Sequence, residues 1–513
     1  LLNVFGSSAL WVLIRPSSVI WIDVETRKIS VRMPHESYRP SYPTCFCDWA
    51  TAVNSPIKSW TSVNFLINSI SKLEVTPYKE EVMSNSQRAI VIGGSLAGLW
   101  TARVLADHFA QVTVLERDSL PSEPASRPGV PQDRHVHVLL ERGADIMSQL
   151  FPGITEELLA AGANRVDLTK DSRAKIRGQW LPQFESKIVT YACSRLMLES
   201  ILRRRVANLP NVALCAGAQV QGLVANNGVV EGVQVRWKEG REAGVETAAF
   251  IVDASGRGSK LLEWLPQIGY DTPEETVIDV RLGYAGRRYH IPNPPPTWDM
   301  MLVGADPPHN SRAGLIYSEE NNIWMVMVAG ILGDYPPTDE EGFLAFAREV
   351  DADFHAAIVK AEPISNIIGY RRTENRFRRY DRLTRWPDRL VALGDAVCGF
   401  NPVYGQGMTV SAMAAVELGS MLAASSGNLV GLAHAFQKKY PKIVEPAWLL
   451  ATSADLEWLG NAEATSLPER FAGWYMPKVL DAIPHDRLVH RTFIEVQNLI
   501  VPPTTLFKPA IVL

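Results

Sequence analysis

The stretch RAIVIGGSLAGLWTARVLADHFAQVTVLERD, residues 88 to 118, constrains this chain more than any other. Ala89 to Ile92 is an apolar run with the length of a buried strand. Gly93, Gly94, Ser95, Leu96, Ala97 and Gly98 follow as a tight turn. Leu99 to Phe109 has helical apolar spacing, and Val112 to Leu115 is a second apolar run that ends at Glu116. Strand, turn, helix and strand, with an acid about twenty residues past the glycines, is the dinucleotide-binding arrangement. Each residue type has a task. Gly93 permits the sharp turn out of the strand, and Gly98 lets the helix lie close to the sheet. The free N–H groups at the helix start, at the positive end of its dipole, face a pyrophosphate. Glu116, followed by Arg117, can accept from ribose hydroxyls. Ser95 replaces the usual second glycine with the smallest residue that carries a side-chain donor. The plainer alternative is an ordinary strand–turn–helix.

Two later stretches repeat the theme of a buried strand ending in an acid. Phe250 to Ser259, FIVDASGRGS, places Asp253 before a small-residue turn; Asp253 either faces a nucleotide or caps the helix that follows. Residues 389 to 417, RLVALGDAVCGFNPVYGQGMTVSAMAAVE, give a strand at Leu390 to Leu393, then Gly394 and Asp395. Pro402 and the Gly405-Gln406-Gly407 turn lead into a helix from Met408, whose N–H groups point at whatever docks above the turn. Between these stretches, Arg134 precedes His135 and His137. The histidine pair lacks a third ligand at metal spacing, so it reads as structural and no metal is expected. Ser194 is a predicted N-cap for a helix to Val206. It places Arg195 at the helix start, either as a solvated charge or as a phosphate contact.

With three stretches in this order, the chain resembles the single-component flavoprotein hydroxylases of the p-hydroxybenzoate hydroxylase fold, whose relatives include squalene epoxidases, geranylgeranyl reductases and flavin-dependent halogenases. The resemblance runs from about Gln87 to Ala424. It implies FAD as cofactor, NADH or NADPH as electron donor, O₂, and an apolar or aromatic substrate oxidised through a flavin C4a-hydroperoxide. It implies that Gly93, Gly94, Ser95, Ala97, Gly98 and Glu116 hold the ADP half, with Arg117, Arg134 and Arg195 as supporting contacts. Asp253 would serve the middle motif, Asp395 the ribityl chain, and Pro402, Gly405, Gln406, Gly407 and Met408 the isoalloxazine side. The middle motif departs from the family: Ala254 follows Asp253, and Leu262 stands where an arginine is expected. That departure bears on the nicotinamide contact. It leaves a geranylgeranyl-reductase type of reductase or dehydrogenase, or a non-catalytic flavin-binding protein, as alternatives. No catalytic acid or base is identifiable.

The expected fold is α/β: a Rossmann-like FAD-binding domain with an inserted mixed or antiparallel substrate sheet and a helical C-terminal region. The boundaries read as 83–267 and 381–425 for the FAD-binding parts, 268–380 for the substrate domain and 426–513 for the helical region. Residues 1–82 lack sustained periodicity and read as a disordered extension. The sequence MSNSQRAIVIGG from Met83 resembles a natural start, with a targeting extension as the alternative. A net charge of −4 gives no reason to expect nucleic acid. No long uninterrupted apolar run predicts a membrane-spanning helix. The apolar, proline-broken tail LIVPPTTLFKPAIVL either packs on the domain or touches a membrane surface. Cys45, Cys47, Cys193, Cys215 and Cys398 are scattered, which suits a reducing, cytoplasmic setting. In the substrate region, Tyr284, Trp324, Met325 and Met327 either line a pocket or form sheet core. One helix is expected from Asp339 to Val359. The run Arg371 to Arg382 reads as a solvated strand face at a domain border.

Overall fold

The computed structural model describes residues 2–4, 9–15, 18–23, 28–32, 88–238, 242–460 and 467–511. The chain divides into two units, Leu1–Val82 and Met83–Leu513. In the first, the strands Leu2–Val4, Ala9–Arg15, Ser18–Asp23 and Lys28–Arg32 pair in sequence order as an antiparallel sheet, where the sequence reading expects disorder. Cys45 and Cys47 lie outside the described residues.

The second unit is built on a five-stranded parallel sheet. Its order is Val212–Ala216, Gln111–Glu116, Arg88–Ile92, Phe250–Asp253 and Leu390–Ala392. The inner strands are continuously apolar because both faces are covered; Ala89, Ile90, Val91, Ile251 and Val252 are wholly buried. Chain order reverses between Arg88–Ile92 and Phe250–Asp253, and a ligand crevice belongs beyond the C-terminal ends of strands at such a point. The helix after the glycine turn, Leu96–Leu105, stops short of Phe109, whose ring instead stacks on Phe250 at 5.7 Å. It packs closely on helix Gly407–Ser425: a Cβ at Gly419 would stand 2.6 Å from Val104 Cγ1. Length and composition alone would let Gly407–Ser425 cross a membrane, but half of its apolar window is buried inside the protein.

A seven-stranded mixed sheet forms the second layer. Its order is Ile368–Tyr370, Gly283–His290, Ile323–Gly330, Arg312–Glu319, Met300–Val303, Ser172–Ile176 and Gln179–Trp180. The last two strands precede residue 268, so this sheet draws on chain outside the expected 268–380. Strand alternation sends Trp324, Val326 and Val328 to one face, where they pack with Phe343 and Phe354. The helix expected over Asp339 to Val359 is two, Glu340–Val350 and Ala352–Ile358. Asp351 breaks it: its backbone is extended, and its carboxylate accepts from the N–H groups of Asp353 and Phe354 at 2.8 and 3.1 Å. Such a cap competes with helix continuation.

The C-terminal region contributes helices Leu432–Trp458, Leu467–Ala482 and Arg487–Gln497. The tail packs against them. Leu506 is buried, and its carbonyl accepts from the Tyr475 hydroxyl at 2.8 Å. The basic run near residue 376 is an ion-paired border rather than a freely solvated face: Arg376 and Arg378 hold Glu275 at 2.8 and 3.0 Å, and Arg378 is buried.

Candidate functional site

The three strand ends converge. Gly93 has a φ of +102°, and a Cβ there would lie 2.7 Å from the Ala254 carbonyl oxygen, so the first turn abuts the second. At Gly98 a Cβ would fall 1.8 Å from the Gly93 carbonyl oxygen, closer than any side chain allows. The Leu393 N–H donates to the Asp253 carbonyl at 3.1 Å, joining the second strand end to the third. Gly394, at φ +64°, would bring a Cβ 3.0 Å from that of Ala97. The three stretches thus meet at the switch point of the sheet, where a ligand crevice is expected.

One wall of the crevice is a buried charge network. Glu116 accepts from the Gly94 N–H at 2.8 Å and the Asp118 N–H at 3.0 Å, and pairs with Arg127 at 2.9 Å. Arg127 also holds Glu199 at 2.7 Å and Asp118 at 3.6 Å. Glu199 in turn pairs with Arg195 at 2.7 Å and Arg203 at 3.6 Å. Burial opposes ionisation of Glu199, but Arg195 and Arg127 beside it outweigh burial and hold its carboxyl below the usual range. Ser95 Oγ links the turn to this network, accepting from Arg195 at 2.9 Å and donating to Glu199 at 3.2 Å. Ser194 is the N-cap of helix Arg195–Ala207, accepting from the Met197 N–H at 3.1 Å. That cap fixes Arg195 at the helix start, as the sequence reading expects. Arg117 and Arg134 are exposed and are not drawn into the network.

The other two stretches are tied by a residue the sequence reading passes over. Arg257 donates to the Glu374 carbonyl at 3.0 Å and to the Phe400 carbonyl, and its Nε lies 3.7 Å from Asp395. Burial pushes the Asp395 carboxyl up, with Arg257 and Arg378 opposing. Asp253 is wholly buried and serves its own turn, accepting from Ser255 Oγ and Ser259 Oγ, each at 2.5 Å. Past Asp395, the turn Pro402–Tyr404 ends at Gly405 with φ +67°, and buried Gln406 precedes helix Gly407–Ser425. Pro402 is exposed, whereas Gly405, Gly407 and Met408 are half-buried.

Next to this turn lies a cavity of about 310 Å³. Its walls are the sheet face carrying Met300, Leu302 and Leu315, the turn Val403 to Gln406, and the C-terminal helices with Leu449, Met476 and Phe493. The four pocket candidates named from sequence lie elsewhere. Trp324 stacks on Trp298 at 5.1 Å in the helix-covered core. Tyr284 stacks on Tyr370 at 5.3 Å and meets His135 edge-on at 4.8 Å. Met325 and Met327 lie on the same sheet face as Tyr284, not in the cavity wall. Burial, with Arg288 and Arg134 nearby, lowers the His135 pKa to about 4, so its ring is neutral at pH 7. The His137 ring nitrogen Nδ1 sits 3.0 Å from the His135 carbonyl, a local structural role.

Residues 86–428 match the FAD binding domain family. The chain belongs to that family. Protein Rv3254 of Mycobacterium tuberculosis is 34% identical over 421 residues, covering 79% of this chain and 88% of that protein. Squalene epoxidase 3 of Arabidopsis thaliana is 30% identical over 156 residues, 30% of this chain and 27% of that one. Among solved structures, the flavin-dependent brominase Bmp2 superposes with a TM-score of 0.60 at 13% identity, covering 82% of this chain and 96% of its own. PqsL of Pseudomonas aeruginosa gives 0.54 at 16% identity, with 73% and 98% covered. The fold is therefore that of the p-hydroxybenzoate hydroxylase-like flavoproteins, and the class is FAD-dependent oxidoreductase.

The crevice fits FAD on its own chemistry. Arg195 Nη1 is buried without a hydrogen-bond partner at the head of the network, and Gln406 Oε1 is likewise unpartnered beside the third turn. Buried polar groups are normally satisfied, so unpartnered ones at a crevice are receptors for a ligand.

Proposed function

We propose that this chain is an FAD-dependent monooxygenase that oxidises an uncharged apolar or aromatic small molecule, with NADH or NADPH as electron donor and O₂ as co-substrate. The observation that carries the reading is the shared turn: Val403 to Gln406 belongs to the third of the three stretches and also forms part of the wall of the 310 Å³ apolar cavity. A substrate in that cavity would lie against the cofactor.

In this reading Gly93, Gly94, Ser95, Ala97 and Gly98 admit the pyrophosphate, and Arg195 Nη1 meets its charge. A carboxylate offers about four acceptor sites. Gly94, Asp118 and Arg127 take three on Glu116, leaving one for a ribose hydroxyl. Asp395 receives the ribityl chain, and Pro402, Gly405, Gln406, Gly407 and Met408 border the isoalloxazine. Bound FAD supplies the redox chemistry and the activation of O₂. The protein's part is to bind, orient and exclude water. Among the described residues Glu457 is the charged residue of the cavity wall, and it pairs with Arg177 at 2.5 Å. His490, another wall residue, has its pKa lowered to about 4 by burial and is neutral at pH 7. A wall with no free cation among the described residues disfavours carboxylates and phosphates.

The commitment of Asp253 to Ser255 and Ser259 favours a second reading. The middle motif then offers no free carboxylate to a nicotinamide, and the chain is a reductase or dehydrogenase fed by another donor. Turnover under ¹⁸O₂ separates the two. The monooxygenase reading expects one labelled oxygen in product, and unlabelled product overturns it.

A further inference from the structure

Beyond residue 428, where the family match ends, one buried carboxylate reaches back into the flavin-side turn. Asp455 belongs to helix Leu432–Trp458 and is 1% exposed. It accepts from the Tyr404 hydroxyl at 2.7 Å and from Asn375 Nδ2 at 2.6 Å. Asn401 Nδ2 lies 3.4 Å from both of its oxygens. The amides are oriented for this role: Asn375 Oδ1 accepts from the Asn401 N–H at 2.8 Å, and Asn401 Oδ1 accepts from the Val403 N–H at 3.3 Å. All of the side-chain donors to Asp455 are neutral, and among the described residues no arginine or lysine pairs with it.

A carboxylate buried among neutral donors is an expensive way to hold a turn. Its position gives it a use. Tyr404 and Gln406 belong to the cavity wall, as do Ser453, Ala454 and Glu457 on the helix that carries Asp455. The carboxylate thus locks the cofactor-side turn to the cavity wall through one tyrosine hydroxyl.

We propose that Asp455 is a positioning residue that fixes the turn Asn401 to Gln406 and the Tyr404 hydroxyl, and so sets the surroundings of the isoalloxazine from outside the FAD-binding domain. This rests on the flavin reading given above. Ionised, Asp455 can accept from Tyr404, Asn375 and Asn401 together; protonated, it loses one acceptor and must place a proton among donors. Burial pushes its carboxyl up to about 6, the three donors opposing and exposed Asp279 reinforcing, so the change falls in an accessible pH range.

The test uses the full chain loaded with FAD, comparing wild type with Asp455→Asn and Tyr404→Phe. The readouts are FAD dissociation constant, visible circular dichroism of the bound flavin, and its midpoint potential between pH 5 and 8. Both variants are expected to retain FAD within about threefold of wild type, because the ADP-half contacts are untouched. Both should alter the flavin dichroism and potential in the same direction. The wild-type dichroism should change with pH around 6, and that change should be absent in Asp455→Asn. Wild-type protein that takes up no FAD overturns the flavin reading itself. Variants that take up FAD with dichroism, potential and pH response superimposable on wild type overturn the role of Asp455 alone. Should Asp455→Asn not fold, Tyr404→Phe removes a single hydroxyl and decides the matter.

Discussion

Replacing Arg127 by methionine removes the cation that joins three carboxylates. The ion-paired set is balanced: Arg127, Arg195 and Arg203 against Glu116, Asp118 and Glu199. Side chains of Arg127, Glu116 and Glu199 are 5 to 7% exposed, so solvent does little to screen them. Each of the two close pairs is worth about 5–6 kcal/mol in gross Coulomb energy at an effective dielectric of about 20. Most of that is offset by desolvation, and breaking one partner of a buried set costs roughly 3–5 kcal/mol. For a unit of roughly 430 residues the unfolding entropy is about 0.9 kcal/mol per degree, so Arg127→Met should lower the melting temperature by about 3–6 °C. The assay is thermal denaturation followed by far-UV circular dichroism, with FAD affinity measured in parallel. The decisive comparison is Arg127→Met/Glu116→Gln, which removes the buried carboxylate that lost its cation, leaves Arg195 and Arg203 paired with Glu199, and should recover about half of the loss. If the double variant is no more stable than Arg127→Met, or if Arg127→Met melts within about a degree of wild type, the charge-balance reasoning fails.

Other outcomes follow from single contacts. Gly98→Ala forces a Cβ into the Gly93 carbonyl, so strand and helix must separate; a loss of about 3 kcal/mol or more and of FAD uptake is expected, read by denaturation and flavin fluorescence. Arg195→Met removes the unpartnered Nη1 and should weaken FAD by about 1.5–3 kcal/mol, a ten- to hundredfold rise in dissociation constant by titration. The folded state holds Asp455 with a raised pKa of about 6, so it binds its proton more tightly than the unfolded chain does. Stability from this group is then full below about pH 4, falls as pH rises to about 6 and is level above, a change of order 3 kcal/mol. Melting curves of cofactor-free wild type against Asp455→Asn should diverge across that window, and parallel curves would refute the assignment.

The three stretches that meet at the sheet's switch point are legible in the sequence because their determinants are local. A glycine turn after an apolar run, an acid at a strand end and Ser194 before a helix can each be read within a few residues. The central sheet and the N-cap at Ser194 follow from those signals. Arg127 could not be read this way. It sits in a proline-rich stretch that looks like a linker, and its partner Glu199 is 72 residues away on what reads as a surface helix. The only local trace was the Arg195-to-Glu199 spacing of four on one helix face. The cavity was missed for a related reason. Alternation along Ile323–Gly330 identifies two faces but not which one borders the cavity, so Trp324 on one face and Met325 and Met327 on the other are equal candidates. Asp351 was hidden inside an otherwise helical pattern, because its capping role depends on its own extended backbone.

The strand order carries a consequence for synthesis. Arg88–Ile92 and Gln111–Glu116 leave the ribosome early, but Leu390–Ala392, which completes the parallel sheet, follows roughly 140 residues after Phe250–Asp253. At about 5–20 residues per second, that leaves one edge of the nascent sheet open for roughly 7–28 s. The edge is sealed later still, when Gln437 reaches the Ala392 carbonyl at 3.0 Å and the Tyr440 hydroxyl receives the Gly394 N–H at 2.8 Å. During that interval Phe250, Ile251 and Val252 are an apolar strand without a neighbour on one side, the kind of edge that recruits other chains. A ribosome-bound nascent chain halted near residue 300 is thus the species most in need of a chaperone.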